Sequence, residues 1–284
     1  MKKYDDPIMA KNFYELHYRS STFVLPNAWD VISAKMFEES GFKAIGTTSA
    51  GIAASLGYKD GQNMPLKKMI ETIERIAKSV NVPVTADIEA GYGQTVNAVL
   101  ETVKKVIETG AIGINLEDGT GDSVHPIYDI SLQKEKIAAI REMSDSNNAS
   151  LFINARTDMY WLNIGDPSLR FQETVKRAEA YQEAGANCIF VPGVSDQKLI
   201  QCLRKAISCP INLLADPETP SLTDLSEIGI ERLSCGSVPF RTTITLLREI
   251  SQEIINHGTF HKVRDNVLTY GEIAEFMQKT NRSQ

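Results

Sequence analysis

The feature that most constrains the fold is a phrase that recurs four times, in which a helix end, a glycine and an apolar strand follow one another. It reads ESGFKAIGTT, ETGAIGINLE, EAGANCIFVP and EIGIERLSCG, beginning at residues 39, 108, 183 and 227. A glycine suits the first residue after a helix, because that residue often takes a left-handed conformation. The phrase therefore predicts helices that each lead into a strand of a parallel sheet.

Eight short apolar runs along the chain are the candidate strands. Each is continuously apolar rather than alternating, which is typical of strands that are covered on both faces. The runs are Thr22–Leu25, Ala44–Thr47, Pro83–Asp87, Gly113–Leu116, Leu151–Ala155, Cys188–Val191, Ile211–Leu214 and Arg232–Ser234.

Helical patterns lie between these runs and after the last one. In Pro65–Ser79, for example, the apolar residues recur at steps of three and four, the spacing of one helix face. The other predicted helices are Asp30–Ser40, Thr95–Thr109, Ser131–Met143, Pro167–Ala184, Asp196–Ile207, Ser221–Ile228, Phe240–Ile255 and a terminal one at Thr269–Lys279.

Eight strand–helix units predict an α/β fold, a (β/α)8 TIM-type barrel with a C-terminal helical extension. The 284 residues allow one such barrel, over residues 1–256, followed by an appendage over residues 257–284. An open, doubly wound sheet is the alternative, but the first predicted strand lacks the glycine-rich dinucleotide-binding fingerprint that favours it.

Charge and hydrophobicity exclude two classes of partner. The net charge is −6 and no basic cluster is present, which argues against nucleic acid. No stretch of 18 apolar residues is available to cross a membrane. The four cysteines have no metal-binding or disulfide spacing, and the N-terminus lacks the apolar core of a signal peptide. We therefore expect a cytoplasmic protein.

Acidic side chains cluster where two neighbouring strands end. Asp87 and Glu89 follow the strand in VPVTADIEAGYG, and Glu117 follows the next strand along the chain. An extended backbone would direct Asp87 and Glu89 to the same side, and three converging carboxylates repel one another unless a cation is present. Oxygen ligands suit Mg²⁺ or Mn²⁺. The alternative is that these acids cap helices or face solvent.

Two further strand ends suggest an anionic ligand. Arg156 follows an apolar strand, where a guanidinium can bind a carboxylate through two parallel hydrogen bonds. Pairing with Asp158 or Glu117 is the alternative. The turn Thr47, Thr48, Ser49, Ala50 and Gly51 has small side chains that let an anion approach the backbone.

Together these segments resemble the isocitrate lyase/phosphoenolpyruvate mutase superfamily. The likeness spans roughly Leu25 to Arg241 and is carried by the segment from LPNAWD to GYKDG, and by VPVTADIEAGYG, GINLEDG, FINARTD and CIFVPGV. It implies a (β/α)8 barrel, a homotetramer with the eighth helix exchanged between paired subunits, and a Mg²⁺-bound enolate formed from an oxo-acid substrate.

The resemblance also implies residue roles. Asp87 matches the metal ligand, while Glu89, Glu117 and Asp60 match acids that hold metal-bound waters. The turn from Thr47 to Gly51 matches the segment that binds the substrate carboxylate, and Arg156 matches an arginine beside the oxo acid.

The chain departs from the superfamily pattern in the loop after the fourth strand. Isocitrate and methylisocitrate lyases carry a cysteine and lysine there, and phosphoenolpyruvate mutases a lysine and asparagine. Residues 118–129 contain none of these three. Val191-Pro192-Gly193 also replaces the histidine that the mutases carry near the sixth strand.

The glycine-rich composition of residues 118–129 predicts a mobile lid, in which His125 is the only imidazole and a candidate proton carrier. Tyr92 is the second candidate. The favoured function is a Mg²⁺-dependent lyase or decarboxylase of a small α-oxo or 2-hydroxy carboxylate. The alternatives are a phosphoenolpyruvate mutase or phosphonopyruvate hydrolase acting on a P–C bond, and a non-catalytic oxo-acid-binding barrel.

Overall fold

The computed structural model describes residues 7–147, 149–264 and 267–278. Within them, parallel strands pair in the order β1-β9-β8-β7-β6-β5-β4-β3-β2. The strands are β1 (Phe23–Leu25), β2 (Asn27–Ala28), β3 (Ile45–Thr47), β4 (Val84–Asp87), β5 (Gly113–Glu117), β6 (Phe152–Arg156), β7 (Cys188–Val191), β8 (Ile211–Leu214) and β9 (Arg232–Ser234).

The sheet closes into a barrel through a first strand that is divided in two. β1 pairs with β9 and β2 pairs with β3, while only Pro26 separates β1 from β2. Proline has no N–H to donate to a ladder, but its carbonyl oxygen accepts from Gly46 N at 2.8 Å. The predicted TIM-type α/β fold is confirmed, although the first strand extends beyond the predicted run Thr22–Leu25.

Helices alternate with the strands as predicted, and their observed bounds differ by a few residues. They are α1 (Pro7–Leu16), α2 (Val31–Glu39), α3 (Ser49–Ser55), α4 (Leu66–Ser79), α5 (Val96–Glu108), α6 (Ile130–Ser146), α7 (Pro167–Glu183), α8 (Gln197–Ala206), α9 (Leu222–Ile228), α10 (Val238–His257), α11 (His261–Arg264) and α12 (Tyr270–Gln278). In the described part of the chain, no helix combines the length and apolarity needed to cross a membrane.

The glycines in the recurring phrase take the conformation expected of them. Gly41, Gly110, Gly185 and Gly229 each follow a helix with φ between 90° and 105°, a region that side chains with a Cβ disfavour. This confirms that the phrase marks the junction between a helix and the next strand.

Helix α1, which the sequence patterns did not reveal, covers the N-terminal end of the barrel. Phe13 and Leu16 are buried against Leu25, Phe152 and Cys188. The Phe13 and Phe152 rings lie edge to face with centroids 5.0 Å apart. Apolar and aromatic side chains therefore fill this end of the barrel.

Helix α10 lies against its own barrel mainly at its first turn, where Phe240 meets Trp29 at 5.4 Å between ring centroids. None of its residues is buried. Apolar side chains nevertheless recur at helical spacing along it, at Phe240, Ile244, Leu247, Ile250 and Ile254. Helices α11 and α12 follow, so the C-terminal extension is helical; Lys279, the last residue of the predicted terminal helix, lies outside the described residues.

Candidate active site

A cavity of about 120 Å³ opens at the C-terminal ends of the strands. It is the location expected for the active site of a (β/α)8 barrel. Among the predicted site residues, the cavity is lined by Thr47, Thr48, Ser49, Ala50, Asp60, Asp87 and Arg156. Gly51, Glu89, Tyr92, Glu117 and His125 do not line it.

The carboxylate of Asp87, at the end of β4, is held in a fixed orientation by hydrogen bonds that include three from Ser49 and Asn115. Its Oδ2 accepts from Ser49 N at 3.0 Å and Ser49 Oγ at 2.8 Å, and its Oδ1 accepts from Asn115 Nδ2 at 3.1 Å. The sequence patterns did not identify Asn115, which is buried in β5 two residues before Glu117. The sequence signal that could have identified Asn115 is a polar residue at an inward position of an otherwise apolar strand.

Glu89 lies beyond the strand rather than in it, which corrects the prediction that an extended backbone carries Asp87 and Glu89 to one side. Strand β4 ends at Asp87, and Glu89 has a left-handed backbone with φ of 53°. Its Oε2 accepts from Gln62 N, and its Oε1 accepts from Tyr92 Oη at 2.8 Å. Tyr92 therefore contacts the acid cluster through its hydrogen bond to Glu89.

Burial raises the pKa of Glu89 to about 7, and the neighbouring charge of Asp87 adds to the shift. The side chain is only 3% exposed. Burial also raises the pKa of Asp60 at the cavity rim, again helped by Asp87. The cluster thus holds more negative charge than its neighbours neutralise.

Arg156 is the cation in direct contact with this cluster. Its Nη1 lies 3.0 Å from Glu117 Oε2, and its Nε donates to Asp158 Oδ1 at 2.6 Å. Burial alone would lower the pKa of Arg156, but the two carboxylates outweigh it and raise the pKa. The alternative interpretation, in which Arg156 pairs with Glu117 or Asp158, is confirmed for both partners. Both contacts orient the guanidinium at the cavity wall.

A buried network around Asp118 supports this arrangement from behind, and the sequence patterns did not reveal it. Asp118 Oδ1 accepts from Asp158 N at 2.8 Å, and Oδ2 accepts from Tyr181 Oη at 2.6 Å and Arg177 Nη1 at 3.1 Å. Arg177 also donates to Tyr128 O at 2.9 Å. The network fixes both the Arg156 partner Asp158 and the two ends of the loop over residues 118–129.

The predicted turn from Thr47 to Gly51 is the start of helix α3. Thr48 is its N-cap, with Oγ1 accepting from Gly51 N at 3.3 Å. Thr47 Oγ1 accepts from Asp87 N at 2.9 Å. Gly51 faces Trp29, since a Cβ there would lie 3.0 Å from Trp29 Cβ. The segment from Thr47 to Ala50 consequently faces the cavity, whereas the Gly51 N–H donates to the N-cap residue Thr48.

The loop over residues 118–129 is closed on itself beside the cavity. Gly119 and Ile127 form an antiparallel bridge, and Thr120 N donates to Pro126 O at 3.0 Å. His125 is exposed at the tip of this loop. The imidazole can reach a ligand in the cavity only if the loop folds over the opening, so the lid stays a prediction.

The donor set of the cavity fits a hard divalent cation. Asp87 offers a preoriented carboxylate, Ser49 and Thr47 offer hydroxyls, and the nearby acids carry raised pKa values that a cation would lower. In the described residues, no three His, Cys, Asp or Glu side chains converge on one metal position. The arrangement therefore suits one direct carboxylate ligand with the remaining positions filled by water.

Comparisons with known proteins agree with this geometry. The family model for phosphoenolpyruvate phosphomutase matches residues 13–255. An uncharacterized protein of Mycobacterium tuberculosis is 37% identical over 229 residues, 81% of this chain and 83% of that one. The 2,3-dimethylmalate lyase of Eubacterium barkeri is 26% identical over 94% of this chain and 93% of its own. A Burkholderia cenocepacia crystal structure, provisionally described as a lyase/mutase, has a TM-score of 0.88 at 31% identity and covers 95% of both chains.

The raised pKa of Glu89 predicts a pH dependence of stability in the metal-free protein. The folded value of about 7 exceeds the ordinary value of 4.5, so the folded state binds the proton more tightly than the unfolded state does. The resulting stabilisation is complete below about pH 4.5 and is lost as the pH rises to about 7. Relative to Glu89→Gln, the free energy of unfolding of the wild type should fall by up to about 3 kcal/mol across this window.

Urea denaturation in the presence of a chelator, at pH 5 and pH 8, measures this difference. Glu101→Gln is the matched control because Glu101 is exposed on α5. Parallel pH profiles for the wild type and Glu89→Gln would show that Glu89 is not protonated in the folded state near neutral pH.

Proposed function

Because the chain belongs to the phosphoenolpyruvate phosphomutase family, within the isocitrate lyase/phosphoenolpyruvate mutase superfamily, we propose that it is a Mg²⁺- or Mn²⁺-dependent lyase or decarboxylase. Its substrate would be a small α-oxo or 2-hydroxy carboxylate. The observation that carries this proposal is the shared cavity of Asp87 and Arg156, in which a preoriented carboxylate lies near a guanidinium. The lyase assigned to the Eubacterium barkeri relative supports the reaction class.

Asp87 would ligate the metal directly, and Glu89, Glu117 and Asp60 would hold its water ligands. When bound, the divalent ion would supply electrostatic stabilisation of the negative charge that develops on an enolate. This assignment is supported by the Ser49 and Asn115 hydrogen bonds, which leave Asp87 little freedom to rotate.

The chain's own residues would orient the oxo acid. Arg156 would hold the carboxylate or the oxo oxygen, and the segment from Thr47 to Ala50 would contact the other end of the oxo-acid group. Trp161 and Phe190 lie 5.8 Å and 5.6 Å from the Arg156 guanidinium carbon, measured to their ring centroids. These aromatic rings would limit water around Arg156, and electrostatic contacts strengthen when water is excluded.

The proposed reaction also needs a proton carrier, which we assign to the predicted lid over residues 118–129. His125 would approach the substrate when residues 118–129 fold over the cavity, which the anchoring of both loop ends at Asp118 and Tyr128 allows. Tyr92 is the second candidate, because its hydroxyl donates to Glu89 and so could pass a proton through that carboxyl.

Cleavage of a P–C bond is the second candidate function, favoured by the phosphoenolpyruvate phosphomutase family match. Residues 118–129 contain no lysine, and Val191-Pro192-Gly193 contains no histidine, so the mutase-type groups are not available at those positions. A panel of α-oxo acids, 2-hydroxy acids and phosphonopyruvate, incubated with Mg²⁺ and followed by NMR, distinguishes the candidates. Binding of oxalate without turnover of any member of the panel would identify a non-catalytic barrel.

The unburied α10 supports a homo-oligomer in which this helix packs on a second copy of the chain, as in a tetramer built from helix-exchanged pairs. Ile244 and Leu247 are 42% and 58% exposed on its apolar stripe, which is costly to leave in water. We predict that Leu247→Lys lowers the molecular mass measured by light scattering, whereas Arg248→Gln on the same helix leaves it unchanged. A monomeric wild type would contradict the exchange.

We predict that Asp87→Ala weakens Mg²⁺ and Mn²⁺ binding by more than about tenfold, since loss of the direct ligand removes at least about 1.4 kcal/mol. Isothermal titration calorimetry measures the affinity. The control is Asp145→Ala, because Asp145 is exposed at the other end of the barrel. Equal metal affinity in Asp87→Ala and the wild type would remove Asp87 from the metal site.

Oxalate, a flat dianion that resembles the enolate of pyruvate, should bind with the metal and compete with the substrate. Arg156→Lys keeps the charge but loses the planar pair of donors. We expect its oxalate dissociation constant to rise roughly 30-fold or more, from a loss of about 2–5 kcal/mol. If Arg156→Lys binds oxalate as tightly as the wild type does, the guanidinium does not bind the ligand through two hydrogen bonds.

Because residues 118–129 lack cysteine and lysine, isocitrate and methylisocitrate should not be cleaved. On its true substrate, His125→Asn should lower the turnover number by about 10²- to 10⁴-fold, the usual contribution of a general acid or base, and leave metal affinity intact. Steady-state kinetics measures the first effect and calorimetry the second. Isocitrate cleavage would refute the substrate class, and an unchanged turnover number would exclude His125.

A further inference from the structure

The barrel interior beside the candidate metal site contains an arginine that none of the assigned roles uses. Arg232, in β9, is 2% exposed and lines the same cavity as Asp87. Its Nε donates to Ser234 Oγ at 3.2 Å, and Ser234 Oγ donates in turn to Asn212 Oδ1 at 3.0 Å. Charged side chains are rarely buried this deeply unless they are paired, so a guanidinium at this position requires an explanation.

Arg232 has no carboxylate in contact. Among residues 7–147, 149–264 and 267–278, no Asp or Glu oxygen lies within 4.0 Å of its guanidinium nitrogens. Burial lowers its pKa to about 10, and the negative charge of Asp87 partly offsets this effect. The group therefore remains a cation at neutral pH, and Asp87 attracts it only from a distance.

Several hydrogen-bond donors in this part of the barrel have no protein partner. Arg232 Nη1, Thr85 Oγ1 and Asn212 Nδ2 are all buried and unpartnered. Thr85 lines the cavity together with Arg232. Leaving a buried donor unsatisfied destabilises the folded state, so a bound species that accepts several hydrogen bonds would relieve a substantial penalty.

The cavity that Arg232 and Thr85 line provides the space for such a species. Gly46 and Gly113 pack closely against the adjoining strands, since a Cβ on either would lie within 3.0 Å of an atom that belongs to a neighbouring strand. The atom nearest Gly46 would be Asn27 Nδ2 at 2.7 Å, and Thr85 Oγ1 would lie 3.1 Å from a Cβ on Gly113. Gly46 also lines the cavity.

We propose that Arg232, with Thr85 and Asn212, forms an anion-binding subsite in the barrel interior, separate from the metal position at Asp87. The ligand is a small anion that accepts several hydrogen bonds: either a halide from solution or a carboxylate of the bound oxo acid. Arg232 is a cationic centre that lacks a contacting anion, and its positive charge together with the unpartnered N–H and O–H groups selects an anion over a cation or an apolar group.

Bromide is the probe for the first test, because it scatters anomalously and requires neither metal nor substrate. Crystals of the metal-free wild type soaked in bromide should show an anomalous peak beside Arg232 Nη1. In solution, the wild type should unfold at a higher temperature in bromide than in gluconate at equal ionic strength, since a ligand that binds the folded state stabilises it.

Two variants examine the site, and one serves as a control. Arg232→Met should abolish the peak and the bromide-dependent shift. Thr85→Val removes only an unpartnered hydroxyl, so it should fold normally while bromide affinity falls by tenfold or more. Arg19→Met, which removes the same charge from the exposed surface, should behave as the wild type. If Arg232→Met does not fold, the bromide affinity of Thr85→Val tests the proposal by itself.

A second arm identifies the source of the natural ligand. If Mg²⁺ and oxalate displace bromide, the subsite takes a carboxylate of the oxo acid; if bromide and oxalate bind together, it takes a halide. The proposal is overturned if wild-type crystals show no peak near Arg232 and the unfolding temperature is the same in bromide and gluconate. It is also overturned if Thr85→Val keeps the full bromide affinity. The first arm needs no metal, so its failure is distinct from failure of the proposed lyase function.

Discussion

The structure is organised around a set of carboxylates held close together at the C-terminal ends of the strands, where Arg156 is the one cation in contact with them among the described residues. Arg156 contacts both Glu117 and Asp158, while Asp87, Glu89 and Asp60 have only neutral donors beside them. Burial and mutual repulsion raise the pKa of Glu89 to about 7 and that of Glu117 well above its ordinary value. Repulsion among these carboxylates is unfavourable in the metal-free protein, and a bound divalent cation would offset it. Strongly shifted pKa values of this kind are common at functional sites.

Barrel closure positions these acids, and the cavity beside them opens at the C-terminal ends of the strands. The strand divided at Pro26 joins β9 to β3, and α1 fills the N-terminal end with Phe13, Leu16 and His17. The C-terminal strand ends then provide Asp87, Glu117 and Arg156 from three adjacent strands, β4, β5 and β6. Behind them, Asp118 binds Asp158, Tyr181 and Arg177, so the wall that carries Arg156 is fixed before any ligand arrives. Preorganisation of this kind is what makes electrostatic stabilisation effective.

Much of this architecture could be predicted from local patterns, because the glycine after each helix and the short apolar runs depend on neighbours in sequence. The acids at Asp87 and Glu117 could be placed because strand ends meet at one edge of the barrel. Glu89 was misplaced, since its left-handed backbone depends on the turn through Gly91 and not on the strand pattern. The Asp118 network and the Arg232 subsite depend on residues more than 50 positions apart or on opposite sides of the barrel. The exposed stripe of α10 has the pattern of a buried helix, and sequence periodicity does not specify which surface covers it.

The central claim is that the acids around Asp87 and the guanidinium of Arg156 together bind a metal and an oxo-acid dianion as one unit. Binding of the two ligands must then be reciprocally coupled. The direct test is calorimetric titration of oxalate into the wild type, first in chelator and then in saturating Mg²⁺. The account predicts that Mg²⁺ tightens oxalate binding by at least about tenfold, on the order of 1.4 kcal/mol of coupling. Equal oxalate affinity with and without Mg²⁺ would contradict it.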